Sequence, residues 1–171
     1  MGQFHSKVKK RMRTLNFDYD NLPGVSLMYA VPVTSFYQCM QDPISGDCSL
    51  SLVNQDDIIE IPIYMGDSFK HEEVQQFEDG GDCWDVTVSG IIPKRCQINE
   101  SVIHRLERGE WITVTRDANG IIILSGTVDV PLKFVHSRTT GTSGEMNGSR
   151  FTFQSRQSEP SVVLASLPTV A

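Results

Sequence analysis

Apolar and polar residues alternate along most of the chain from Val25 onward, and this period of two is typical of strands that bury one face. Clusters of glycine, proline, asparagine and aspartate separate the alternating runs, as turn residues do in β proteins. This spacing predicts roughly eight short strands. The runs are 27–33, 50–52, 59–63, 84–88, 111–115, 121–127, 132–136 and 151–153.

Two of these runs contain a proline, Pro32 in the first and Pro62 in the third. Proline has no N–H to donate to a neighbouring strand, so within sheets it is found mainly in edge strands. We therefore expect both runs to form edge strands.

The stretch from Phe69 to Phe77 reads FKHEEVQQF, and its pattern fits either a short helix or one arm of a hairpin. The next segment alternates cleanly at Trp84, Val86 and Val88. Because a strand directly follows, we favour the hairpin, with its turn at 78–82.

One helix is predicted, over residues 99–108. Asn99 is a fair N-cap, and the basic residues near the other end suit the helix dipole. Gly109 is placed to close the helix in the left-handed conformation. The stripe of apolar residues at helical spacing consists of Val102, Ile103 and Leu106.

The clearest hairpin lies within residues 111–134, WITVTRDANGIIILSGTVDVPLKF. Its two apolar arms flank a loop at 116–120, and a third strand follows. In this loop Asp117 and the pair Asn119-Gly120 supply residues that tolerate the positive φ of a tight connection.

These elements predict a mainly β fold, an antiparallel sandwich or partly closed barrel with one short helix. We divide the chain into a basic, extended N-terminal arm (1–24), a single β domain (25–165) and a C-terminal tail (166–171). Residues 138–149 have the composition of a flexible loop. No internal repeat is visible.

The 171 residues carry a net charge of −6, which argues against a nucleic-acid binder because phosphate contacts need clustered cations. The one basic cluster lies at residues 7–13 and is followed at once by Asp18 and Asp20. No apolar run approaches the roughly 20 residues of a membrane span, and no secretory hydrophobic region follows the basic residues.

The four cysteines have spacings that suit neither a zinc site nor a thioredoxin-type motif, so we expect free thiols in an intracellular protein. Two disulfides remain an alternative in an oxidising compartment. These cysteines are Cys39, Cys48, Cys83 and Cys96.

Candidate catalytic groups are sparse. His71 lies beside Glu72-Glu73, but adjacent carboxylates on a strand point to opposite faces, so a solvated strand face is the preferred interpretation. Asp56-Asp57 and Glu60 look like turn residues rather than an acidic dyad. The remaining histidines, His5, His104 and His136, are dispersed. We therefore predict no catalytic, cofactor-binding or metal-binding residues, no cofactor and no enzymatic activity.

The N-terminal residues MGQFHS fit an N-myristoylation pattern, with Gly2 as acceptor and Ser6 in the required position. The basic segment 7–13 would add the second membrane signal that one acyl chain needs. A membrane-surface matrix or adaptor protein is therefore the alternative function. The preferred interpretation is an N-terminal arm that lies on the acidic surface of a neighbouring subunit. That subunit can be another copy of this chain.

Most of the chain, roughly residues 25–165, also carries a family pattern: a short helix, a hairpin, a flexible loop and an aromatic strand. The stretches are VNQDDIIEIPI, DCWDVTVSGIIPK, RLERGEWITVTRDANGIIILSGTVDVPLKF and GSRFTFQSRQSEPSVV. They resemble small structural proteins of tailed phages and prophages of Bacteroidota, of the tail-tube type. The matching positions are Asp117, Asn119-Gly120, Leu124-Ser125-Gly126, Pro131-Leu132, the 138–149 loop and Phe151-Thr152-Phe153.

This resemblance implies a virion protein, located in the tail after assembly in the host cytoplasm. Its partners would be copies of itself in rings and neighbouring tail proteins, with DNA passing through the lumen without sequence-specific binding. The resemblance leaves open whether the ring belongs to the tube, terminator, neck or baseplate. It transfers no site residues.

Overall fold

A computed structural model describes residues 22–43, 47–54, 56–61, 69–78, 81–93, 96–139 and 148–170. The chain is mainly β, with two sheets packed in a sandwich-like arrangement and one α-helix, which confirms the predicted fold class. The described residues form more strands than the eight predicted, because several short pairings leave little trace in the sequence pattern.

Sheet A contains eight strands. They are β1 (Val25–Pro32), β2 (Phe36–Gln41), β3 (Cys48–Leu52), β4 (Ile59–Glu60), β7 (Trp111–Asp117), β8 (Ile122–Ser125), β11 (Val162–Leu164) and β12 (Thr169–Val170). Sheet B contains β5 (Lys70–Glu78), β6 (Gly81–Pro93), β9 (Lys133–Thr139) and β10 (Gly148–Gln157). A 3-10 turn, Val33–Ser35, follows β1, and the helix α1, Gln97–Glu107, follows β6.

The chain passes repeatedly between the two sheets. In sheet A, β3, β11, β8, β7, β1 and β4 follow one another across the sheet, and β2 covers the free side of β3. The order in sheet B is β5-β6-β10-β9. The short strand β12 pairs with β3 alone, beside β11, so the edges among the described strands are β2, β12 and β4 in sheet A and β5 and β9 in sheet B.

Two hydrophobic clusters hold this arrangement together. The inter-sheet cluster lies between the sheets and combines Met28 and Ala30 of sheet A with the inner face of sheet B. The sheet A cluster lies on the other face of sheet A and is lined by strands of that sheet alone, including Ile112, Val114 and Leu50. Because those side chains are buried without help from sheet B, sheet A must curve around them.

Aromatic side chains fill one end of the inter-sheet cluster. Phe151 and Phe153, which the sequence placed on a strand, lie on β10 and are buried. Phe69 meets Phe151 edge-on at 5.6 Å, and Phe134 meets Phe153 edge-on at 5.0 Å between ring centroids. Gly90 of β6 makes room for them, because a Cβ there would lie 2.8 Å from the Phe69 ring.

The helix begins two residues earlier than predicted. Its N-cap is Cys96, so the prediction of Asn99 as N-cap is wrong; the Asn99 side chain instead donates to the Pro93 carbonyl oxygen at 3.0 Å. The apolar stripe is confirmed, since Ile103 and Leu106 are buried in the inter-sheet cluster and Val102 packs against it. This burial holds a helix too short to be stable alone.

The end of the helix also differs from the prediction. Gly109 does not have a positive φ. Glycine is needed there for space, because a Cβ would lie 2.6 Å from the Trp111 ring. The same indole closes the helix, since its Nε1–H donates to the Leu106 carbonyl oxygen at 2.8 Å.

The predicted hairpin is present as β7 and β8. Asp117 organises the turn, because its Oδ1 accepts from the N–H of Asn119 at 2.9 Å and of Ile121 at 2.8 Å. Gly120 has a φ of +87°, as the predicted left-handed position requires. The third strand of this stretch, β9, does not join the hairpin; it pairs with β10 in sheet B.

The prediction of an edge strand at Pro32 is wrong. β1 pairs with β7 along its whole length and with β4 at Tyr29 and Ala30. Pro32 is tolerated because it is the last residue of β1. The third run forms only the short edge strand β4, where Ile59 and Ile61 share a buried face as predicted. Pro62 and Ile63 lie outside the described residues.

The hairpin preferred for the FKHEEVQQF stretch is confirmed, since β5 pairs with β6 from Lys70 opposite Ser89 to Glu78 opposite Gly81. The ends of the predicted flexible loop extend β9 and β10, and residues 140–147 lie outside the described part. The segment predicted as a tail contributes β12, which pairs in parallel with β3.

Candidate functional site

The polar cluster between the sheets begins on β5, whose alternation brings His71 and Glu73 to the inner face. His71 lies opposite Val88 and Glu73 opposite Val86, and both valines are buried in the inter-sheet cluster. The prediction of a solvated strand face is therefore wrong for His71, whose side chain is only 10% exposed. Glu72, on the other face, forms an exposed ion pair with Lys70, as alternation requires.

Four side chains, which we call the His71 cluster, connect the two sheets: His71, Glu73, Ser125 and Ser161. The Nε2 atom of His71 lies 3.2 Å from Glu73 Oε1 and 3.1 Å from Ser125 Oγ on β8. Ser161 Oγ donates to Ser125 Oγ at 2.8 Å, and its backbone N–H reaches Glu73 Oε2 at 3.4 Å. The cluster joins β5, β8 and the segment before β11.

Burial controls the charge of this cluster. It lowers the pKa of His71 from its ordinary value of 6.5, because the charged imidazolium loses hydration, and the Glu73 carboxylate opposes this shift. Burial has the larger effect, so the imidazole is neutral at neutral pH. A neutral ring has one N–H and one acceptor nitrogen, which limits how it can bond to both neighbours through Nε2.

A serine, a histidine and a glutamate in contact invite comparison with a nucleophilic triad. In a triad the carboxylate and the serine contact different ring nitrogens, so that the base is oriented on one side and accepts a proton on the other. Here both contact Nε2. Ser125 is also 0% exposed, so no substrate can approach its Oγ. The arrangement therefore links the sheets and does not support acyl transfer.

Two threonines extend the polar surface along β7. Thr113 lies opposite Ser125, and Thr115 follows it on the same face. Both are buried, and their Oγ1 atoms have no hydrogen-bond partner within the described part of the chain. An unsatisfied buried hydroxyl is uncommon, and an ordered water is the usual partner. This end of the inter-sheet space is thus polar, in contrast to the aromatic end.

A second group of titratable residues surrounds α1. Glu107 contacts His104 Nδ1 at 2.9 Å and His136 Nδ1 at 3.4 Å, and Arg138 pairs with Glu100 at 3.0 Å. His104 is exposed. Across the described ranges, no three histidine, cysteine, aspartate or glutamate residues are arranged to hold a metal ion.

Asp56 and Asp57 lie in a turn before β4, as predicted, whereas Glu60 was wrongly predicted as a turn residue and belongs to β4 itself. The Asn54 side-chain oxygen accepts from the Asp56 N–H at 3.0 Å. Asp57 contacts Arg105 of the helix at 2.8 Å, while Glu60 is exposed. The three carboxylates do not form a common site.

The strands at the sheet edges expose apolar side chains. On β2 of sheet A, Tyr37 is 57% and Met40 55% exposed. On β5 of sheet B, Phe77 is 76% exposed, and Val74 is also exposed. These side chains lie on edge strands, whose outer backbone N–H and C=O groups can pair with another strand. Each sheet therefore has an edge suited to contact with another chain.

Several predicted features fall outside the described residues: Gly2, His5, Ser6 and the basic segment 7–13. The described part of the N-terminal arm starts at the β7–β8 turn, where the Leu22 N–H donates to Asn119 Oδ1 at 2.7 Å. Within the described ranges, no helix combines the length and apolar character that crossing a membrane requires.

The His71 cluster was not predicted, although one signal was present. Phe69, directly before β5, has the same parity as His71 and Glu73, and this apolar residue marks the inner face. Ser125 and Ser161 carried no signal, because their contact with His71 joins segments far apart in the chain.

Comparison with protein-family models, with curated proteins and with solved structures found no match.

Proposed function

We propose that this protein is a structural component of a tailed-phage virion, a ring-forming tail protein that acts through assembly of its subunits. The observation that carries the proposal is the exposure of apolar side chains on edge strands of both sheets, Tyr37 and Met40 on β2 and Phe77 on β5. The resemblance of residues 25–165 to phage tail proteins supports the same function.

Exposed edges are unusual in monomeric proteins, which shorten, charge or cover them to prevent association. β5 has nine residues; near its start the charges of Lys70 and Glu72 pair with one another, and its exposed apolar side chains Val74 and Phe77 lie further along the strand. A neighbouring subunit that adds a strand there would gain backbone hydrogen bonds and cover Phe77. The tube, terminator, neck and baseplate remain alternative positions for such a ring.

Charge favours contact between subunits through the N-terminal arm. Residues 1–24 contain five basic and two acidic residues and so carry +3, which leaves −9 on the rest of the chain. The arm starts at the β7–β8 turn and has 21 residues before Leu22, enough to reach about 70 Å when extended. That reach exceeds the size of one domain, so the arm can lie on the acidic surface of the next copy.

The same charge suits passive passage of DNA. If acidic residues line the lumen of the ring, they repel the phosphate backbone and prevent sticking. A basic or neutral lumen in the assembled ring would contradict this part of the proposal.

Assembly is tested by light scattering after size exclusion, and by negative-stain microscopy, on the full-length protein alone and mixed with other virion proteins. We expect rings or higher oligomers. Phe77→Lys and Met40→Lys should weaken assembly, while Gln154→Lys, an exposed polar position on the interior strand β10, should leave it unchanged. A protein that stays monomeric at high concentration and in the mixture overturns the proposal.

The alternative of a lipid anchor at Gly2 has a separate test. Intact mass of the protein purified from its native cell would show an added acyl group, and binding to anionic vesicles would weaken with salt. An unmodified mass together with no vesicle binding excludes this alternative.

A further inference from the structure

Two cysteines lie on neighbouring strands at the edge of sheet A. In the β2–β3 pairing Cys39 is opposite Leu50, and Gln41 is opposite Cys48. Cys39 and Cys48 are therefore one diagonal step apart and on the same face of the hairpin, because residues two apart on a strand share a face. Leu50 and Cys48 are both buried in the sheet A cluster, which identifies this face as the inner one.

The thiols of Cys39 and Cys48 lie close enough for Cys48 to affect the pKa of Cys39. Partial burial raises the pKa of the Cys39 thiol, and the neighbouring Cys48 raises it further. The residue Cys39 is exposed, whereas Cys48 is buried, so a reagent in solution reaches Cys39 first.

The strand that carries Cys39 can adjust its position. Diagonal neighbours in an antiparallel sheet have Cα atoms about 7–8 Å apart, and a disulfide needs about 4.4–6.8 Å. β2 is an edge strand held by β3 alone among the described strands, with a register shift between Phe36 and Gln38. A movement of about 1 Å is therefore feasible at this edge, whereas it would disrupt an interior strand.

We propose that Cys39 and Cys48 are a redox-active pair that forms an intramolecular disulfide across the β2–β3 hairpin by exchange with a low-molecular-weight disulfide. With oxidised glutathione, the Cys39 thiolate attacks one sulfur, forms a mixed disulfide and releases one glutathione thiolate. The Cys48 thiolate then attacks the Cys39 sulfur and releases the second. The protein loses two hydrogens, and one glutathione disulfide becomes two thiols.

The other two cysteines provide controls within the chain. Cys83 lies near the start of β6, opposite Gln76, and Cys96 caps the helix. Neither is adjacent in register to a second cysteine. The proposal thus predicts one specific pairing among the four thiols, and it is independent of the proposed assembly function.

The test uses the full-length protein incubated with oxidised glutathione, followed by thiol counting in denaturant and peptide mapping without reduction. We expect two thiols of the four to disappear and the peptides with Cys39 and Cys48 to be joined. Oxidation should be faster at alkaline than at neutral pH, because the raised pKa of Cys39 leaves little thiolate at neutral pH. The bond should raise the melting temperature by roughly 5 °C.

Variants separate this pairing from its alternatives. Cys39→Ser should prevent the cross-link, and Cys48→Ala should leave a stable glutathione adduct on Cys39. Cys83→Ser and Cys96→Ser should not affect it. Cys39→Ser is the decisive variant, because Cys39 is exposed whereas Cys48 contributes to the core. A stable adduct on Cys39 in the unmodified protein, or a disulfide involving Cys83, Cys96 or a second molecule, overturns the proposal.

Discussion

Different interactions stabilise the two ends of the space between the sheets. At one end Phe69, Phe134, Phe151 and Phe153 pack ring against ring. At the other end, two residues along β5 from Phe69, His71 bonds to Glu73 and Ser125. The aromatic end is stabilised by burial of apolar area, which depends little on direction. The polar end is stable only if each buried group keeps its partner.

This difference has a consequence for specificity. Aromatic rings tolerate small shifts between the sheets, whereas the contact of His71 Nε2 with Ser125 Oγ at 3.1 Å fixes the position of β5 relative to β8. The aromatic end therefore supplies most of the stability, and the His71 cluster sets the register in which the sheets face one another. Four predictions test this division.

The largest effect is expected at the aromatic end. Phe153→Ala removes a fully buried ring and leaves a cavity, which should lower the free energy of unfolding by about 3–5 kcal/mol. Urea denaturation measures this loss. Ile98→Ala, at an apolar side chain that is 75% exposed on α1 and outside the proposed assembly edges, is the control and should change stability by less than about 0.5 kcal/mol. Equal losses for the two variants would contradict the assignment of the core.

A smaller loss is expected when the polar end is made apolar. His71→Phe leaves Ser125 and Glu73 without their shared partner and should cost about 1–3 kcal/mol. Adding Ser125→Ala removes one of the polar groups left without a partner and should recover part of the lost stability. Strict additivity of the two substitutions in a double-mutant cycle would show that the side chains are not coupled.

The pH dependence of stability distinguishes the two ends further. Burial lowers the pKa of His71 in the folded state below 6.5, so below that pH the unfolded chain binds more protons. Stability should therefore fall as the pH decreases from 7 to 5, by at most about 1.4 kcal/mol per pH unit from this group. Denaturation curves of wild type and His71→Gln give the contribution as a difference. Identical pH profiles would contradict it.

The smallest effect is expected at an exposed histidine. His104 lies on the surface of α1 and pairs with Glu107 in solvent, where ion pairs contribute little. His104→Gln should change the free energy of unfolding, measured by urea denaturation, by less than about 0.5 kcal/mol. A change as large as that of His71→Gln would mean that burial is not what makes His71 different.

Local features of the fold were predictable because they depend on residues close in sequence. The β7–β8 hairpin follows from Asp117 and Gly120, whose side-chain acceptor and positive φ act within the turn itself. The apolar stripe of α1 follows from helical periodicity. In contrast, Pro32 was wrongly predicted to mark an edge strand. The sheet accommodates this proline because it is the last residue of β1.

The cluster between the sheets was less predictable, since its members come from distant segments. His71 and Ser125 are 54 positions apart, and Ser125 and Ser161 are 36 apart. Gly109 was assigned a left-handed conformation, but the residue is glycine because the Trp111 ring occupies the space of a Cβ. That reason exists only once the helix and β7 have packed.

The sequence by itself determined the mainly β character, the hairpins and the single helix, because alternation, turn residues and helical spacing act over a few neighbouring positions. The tertiary structure alone decided which strands pair and which faces meet. It placed β9 in sheet B, buried His71 and brought Cys39 one diagonal step from Cys48. These outcomes depend on contacts between distant segments, and a local pattern of apolar and polar residues does not specify them.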